Sequence, residues 1–153
     1  MTVPSATRPS RLLGYAGLLP FAAAAAASLL GPPTWRGAAL SALAAYGAVI
    51  LSFLGAVHWG LALDAPAEDA PAAWPRFAFG VLPALVGWLA LLAPVQPGLV
   101  MLAAGILATA GVESAVARRG LLPRGYIGLR WPLSLGAAGC LLVGAMAATP
   151  GPG

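Results

Sequence analysis

One histidine and one buried-looking glutamate are the residues of this chain best placed to do chemistry. His58 is the only histidine present, and it lies in the uncharged run from Gly37 to Leu63. Glu113 lies near the end of a second apolar run, Gly98 to Ala117. An imidazole beside a carboxylate can exchange a proton or share a hydrogen bond, and ionisable groups inside a membrane segment are functional candidates by default. Other constellations are thin. A lone histidine and a lone cysteine, Cys140, make neither a zinc set nor an intramolecular disulfide, so no metal and no cofactor is expected. Asp64, Glu68 and Asp69 sit in a proline-interrupted stretch that reads as a solvated loop, not a cation clasp. No serine, histidine and acid set suggests a nucleophile, and no catalytic residue is assigned.

The elements that must position His58 and Glu113 are membrane helices. The chain is 60% hydrophobic and only 8% charged, against about 25% charged for a soluble domain, and its mean hydropathy is +0.89. Windows of about 19 residues predict an all-α, polytopic bundle of five transmembrane helices. These are a span at about 12–30, then 37–63, 77–95, 98–117 and 132–149, flanked by a short inner tail at 1–11 and an outer tail at 150–153. The separators carry breaker chemistry: Gly31-Pro32-Pro33, the acidic Ala/Pro stretch Asp64 to Pro75, Pro94 to Pro97, and the arginine-rich Arg118 to Arg130. Pro20 and Pro83 fall inside spans, where a neighbouring helix must cover the freed carbonyl. A competing possibility is that Arg8, Arg11 and the apolar residues after them form a cleaved signal peptide, but the apolar stretch continues through Leu30, longer than such a segment requires.

Arginine sets the expected orientation. All eight basic residues are arginine, and with the N-terminus inside, seven lie in inner segments while Arg36 alone lies outside. Short-loop bias of this kind predicts N-inside and, with five spans, C-outside. Arg118, Arg119, Arg124 and Arg130 are read as the orientation signal and a site for anionic lipid. Nucleic acid is not an expected partner, because no basic helix interleaved with aromatics is present. Membrane lipids, other membrane proteins or a second copy of the chain are.

Run inward, this topology brings His58 and Glu113 to one level. His58 precedes Asp64 by six residues and Glu113 precedes Arg118 by five, so at ~1.5 Å per residue both lie roughly 7 to 9 Å below the same face. A contact is expected if the second and fourth spans are neighbours. Its bland role is to fix helix packing; its sharper role is to handle a proton, an ion or a substrate. The second span also shows Ala48, Ser52, Ala56 and Gly60 at four-residue steps, and the fifth Gly136, Cys140, Gly144 and Ala148, as smooth faces for close helix approach. Ser52 is expected to bond back to its own helix.

Three blocks carry a resemblance. Phe53-Leu54-Gly55-Ala56-Val57-His58-Trp59-Gly60, then Leu82-Pro83-Ala84-Leu85-Val86-Gly87-Trp88, then Leu122-Pro123-Arg124-Gly125-Tyr126-Ile127-Gly128-Leu129-Arg130 resemble domain-of-unknown-function family 3429, the transmembrane protein 69-like family. The His-Trp-Gly block, with Gly55, Trp59 and Gly60 around His58, is the most specific. The chain departs from the family pattern at Ala56, where a second glycine is usual, at Gly125, where a tryptophan is usual, at Ser134, where a threonine is usual, and at Glu113, where an aspartate is common. The resemblance implies a small multi-span protein of a bacterial cytoplasmic membrane or a mitochondrial inner membrane, and it implies no activity. The absence of an Arg-rich, Ser-rich presequence favours the bacterial inner membrane. Two functions are compatible with the chain: a non-catalytic component that organises a membrane complex, favoured by tiny loops and small-residue faces, or a small proton-linked carrier using His58 and Glu113.

Overall fold

The computed structural model describes residues 8–63, 70–118 and 126–148. Six helices follow in chain order: α1 (Arg8–Ala16), α2 (Leu19–Leu30), α3 (Pro33–Leu63), α4 (Ala70–Leu92), α5 (Val95–Arg118) and α6 (Tyr126–Ala147). No strand occurs among the described residues. Taken together, α1 and α2 form the first of five segments long and apolar enough to cross a membrane; α3, α4, α5 and α6 supply the others.

Pro20 explains why the first segment is two helices. Its ring nitrogen cannot donate to the carbonyl four residues back, and the helix loosens at Gly17 and Leu18. A neighbour covers the break: Tyr46 of α3 donates its hydroxyl to the Gly17 carbonyl at 3.0 Å, and its ring meets Phe21 edge-on at 4.8 Å. Elsewhere prolines are absorbed. Pro97 lies in the first turn of α5, while Pro83 sits within α4 and Pro132 within α6. The fifth span therefore begins at Tyr126, six residues before the start expected at Pro132, and this draws Arg130 into a helix.

The bundle is organised around α3, which packs on α2, α4, α5 and α6; α5 and α6 form a close antiparallel hairpin. Lipid tails are as apolar as leucine, so tight packing, not escape from water, must hold such helices together. Leu43, Leu51, Leu99, Leu102 and Leu141 are fully buried among Ala44, Ala48, Ala90, Ala103, Ala137 and Ala138. Glycine makes the closest approaches. A Cβ at Gly144 would run into Leu43 of α3. One at Gly55 would run into the carbonyl of Gly80, and one at Gly80 into the Trp59 indole, so α3 and α4 cross backbone to backbone there.

That crossing differs from the smooth face expected on the second span. Ala48 is buried, but Ala56 and Gly60 are exposed, and among the described residues nothing lies within 4 Å of a Cβ built at Gly60. A four-residue step overshoots the 3.6-residue turn, so the stripe rotates out of the interface within a few turns. On α6 the corresponding stripe stays near its neighbours, with Gly136 against Leu18 and Gly144 against Leu43.

Candidate functional site

Three helix ends meet at one side of the bundle: the last turns of α3 and α5 and the first turns of α6. Each contributes one ionisable side chain to a shared interior. His58 is 4% exposed, Glu113 1% and Arg130 6%. Charges are buried to this degree only when paired, because each loses its hydration. Glu113 is paired with Arg130 and faces His58. Its Oε2 accepts a short, charge-assisted hydrogen bond from Nε of Arg130, and its Oε1 lies 3.5 Å from Nε2 of His58. Arg130 also donates from Nη1 to the Ser134 hydroxyl at 2.7 Å, one turn along its own helix. Tyr126, at the start of α6, lies close enough for its phenol to feel the charges of Glu113 and Arg130. Phe79 of α4 closes the fourth side, perpendicular to the imidazole with ring centroids 4.7 Å apart.

The structure thus brings His58 and Glu113 together and places Arg130 with them. The reading of Arg130 as an orientation or lipid-binding arginine is corrected: it is an interior counter-charge. The physical reason is the longer α6, which carries Arg130 one turn past Tyr126 on the face toward α5. Arg118, at the last residue of α5, is exposed, whereas Arg119 and Arg124 lie outside the described residues. So do Asp64, Glu68 and Asp69.

The motif around His58 divides its labour. Gly55 makes the crossing with Gly80 that brings α4 close enough for Phe79 to reach His58. Trp59 lies over the same crossing: its indole stands against Gly80, its Nε1 donates to the Phe77 carbonyl at 3.0 Å, and the Trp59 and Phe77 rings meet edge-on at 5.2 Å. Among the described residues, nothing lies within 4 Å of a Cβ built at Gly60.

A second polar tie runs beside the first. Trp131 of α6 donates from Nε1 to the Ser114 hydroxyl of α5 at 2.9 Å, and Ser114 in turn donates to the Ala110 carbonyl. Glu113–Arg130 and Ser114–Trp131 therefore zip the α5–α6 hairpin at adjacent positions. Sequence reasoning named Arg130 only as an orientation and lipid arginine and missed its place beside Glu113, together with the parts of Ser134, Tyr126 and Phe79 and this second tie. One signal was available: a carboxylate inside a membrane requires a counter-charge, and Arg130 stands four residues before Ser134, the spacing of one helical turn. The other buried or half-buried serine and threonine hydroxyls with a described bond are used locally, Ser28 to Ala25, Ser52 to Ala48 and Thr109 to Gly105. Among the described residues, no three His, Cys, Asp or Glu side chains gather as a metal site.

Fold and site together define a multi-pass α-helical membrane protein whose interior charges are tied across three helices. The chain belongs to the family described as protein of unknown function (DUF3429), which it matches over residues 6–146. A curated relative, transmembrane protein 69 of Xenopus tropicalis, is 43% identical over 89 residues, covering 57% of this chain and 34% of the relative. The chain thus spans about a third of the length of the curated relative it matches. No solved structure matches it significantly.

Proposed function

We propose that this protein is a non-catalytic component that organises or stabilises a larger assembly in a bacterial cytoplasmic membrane, with its N-terminus on the cytoplasmic side. The reading rests on the clasp: Glu113 spends its charge on Arg130 and turns its other oxygen toward His58, holding α3, α5 and α6 in one register. A compensated ion pair of this kind favours a rigid arrangement over one that must open for transport. Side-chain hydroxyls bonded to their own helices, as at Ser52 and Thr109, support a non-catalytic reading, since none is poised as a nucleophile. The orientation is supported by arginine even without Arg130: Arg8, Arg11, Arg76, Arg118, Arg119 and Arg124 fall on one side of the alternating spans and Arg36 on the other.

Purification from native membranes in mild detergent tests this. A partner recovered at fixed stoichiometry from wild type, and lost with Arg130→Ala, is the expected outcome; protein that elutes alone under every mild condition overturns it. For orientation, alkaline phosphatase fused after Gly153 should be active, and a fluorescent GFP with inactive phosphatase at that position reverses the topology.

The carrier reading is favoured by one observation, three buried polar atoms in the clasp that find no hydrogen-bond partner among the described residues. Proton flux into dye-loaded vesicles that disappears in both His58→Ala and Glu113→Gln would select it instead.

A further inference from the structure

Among the described residues, the buried side-chain atoms without a hydrogen-bond partner are Nε2 of His58, Oε1 of Glu113 and Nη2 of Arg130. Two of them face each other at 3.5 Å, a separation slightly beyond a good hydrogen bond. Glu113 has divided its carboxylate, giving Oε2 to Arg130 and leaving Oε1 for the imidazole. An imidazole presenting a lone pair at Nε2 meets this oxygen as acceptor against acceptor. A proton on Nε2 converts the same contact into an N–H···O bond, charge-assisted in the imidazolium, for which the comfortable distance is about 2.7–2.9 Å.

The surroundings of His58 suit that event. From α4 comes Phe79, which has no charge. From α5 comes Glu113, the facing acceptor. From α6 come Arg130, with Nε and Nη1 already given to Glu113 and Ser134, and Tyr126, whose phenol lies near Glu113 and Arg130. His58 also stands less than two turns from Leu63, where the described part of α3 ends, so the distance to the aqueous face is short.

We propose that the clasp is a proton-binding site in which Nε2 of His58 takes the proton, Oε1 of Glu113 accepts its hydrogen bond, and uptake draws α3 onto α5. One N–H bond forms, no bond breaks within the protein, and the net charge of the three groups rises from zero to plus one. The site operates whether the protein organises an assembly or carries a solute. Because the bond exists only when α3 and α5 are packed, proton uptake and the packing of these two helices are linked.

A single histidine makes the test direct. Ring-¹⁵N-histidine protein in lipid nanodiscs is titrated from pH 8 to 5, alongside thermal melts of wild type and His58→Gln. The expected result is conversion of the one imidazole to imidazolium, with wild-type Tm rising by a few degrees towards pH 5 and the variant flat over the same range. An imidazole that stays neutral to pH 5 overturns the proposal on wild-type protein alone, and so does a rise that persists in His58→Gln. Neither result depends on recovering a partner from membranes, so failure here and failure of the assembly reading are told apart.

Discussion

The two ends of this bundle are held by opposite means. Towards the turn between α2 and α3, Leu40 and Leu43 interleave with Leu99, Leu141 and Ala145, and the approach is governed by Gly144. At the other end, α3, α5 and α6 meet around Glu113, Arg130 and His58, with Ser134 and Tyr126 beside them. Apolar packing spreads its energy over many small contacts that tolerate adjustment. The polar end concentrates it in a few directional bonds, each of which leaves a buried charge behind if removed. A membrane protein can therefore be forgiving over most of its length and intolerant at one point, and that point is a candidate for function.

The largest effect should come from breaking the ion pair. Arg130→Ala leaves the Glu113 carboxylate without its counter-charge and should cost about 3–5 kcal/mol, read as loss of folded protein in detergent melts or unfolding by SDS. Replacing both partners with apolar residues, Arg130→Met with Glu113→Leu, should recover most of that loss; a double variant as damaged as the single would mean that the end is held by shape and not by charge.

At the apolar end, Leu43→Ala should cost less, about 2 kcal/mol. The side chain is fully buried, but the unfolded reference in a membrane is also surrounded by hydrocarbon, so mainly the cavity term of a core truncation remains. Equal losses from Leu43→Ala and Arg130→Ala under one assay would erase the contrast between the ends.

Smaller still is the coupling between His58 and Glu113. A double-mutant cycle with His58→Ala and Glu113→Gln should give about 0.6 kcal/mol, and at most about 1.7, the span measured for hydrogen bonds between membrane helices. Coupling near zero would place His58 outside the polar unit. The smallest effect is expected from Trp131→Phe, which keeps the ring and removes the bond to Ser114. Its loss should be near 0.5–1 kcal/mol, and a much larger loss would make the second tie, not the ion pair, the main lock of the α5–α6 hairpin.

Hydropathy alone determined that this chain lies in a membrane and crosses it five times, because each span is an uninterrupted apolar run of bilayer length and the breaks carry their own turn chemistry. It also placed His58 and Glu113 at one depth, since depth along a helix follows directly from residue count. What only the tertiary structure decided is rotation about the helix axes and pairing across them. Pro132 looked like a helix start, yet in a bundle whose neighbours cover freed backbone groups it is carried inside α6. That one displacement turns Arg130 from a loop charge into the counter-ion of Glu113. The close α3–α4 approach likewise falls at Gly55 and Gly80, not along the four-residue stripe ending at Gly60, because contact follows the 3.6-residue turn and the crossing angle, neither of which can be counted along a single helix.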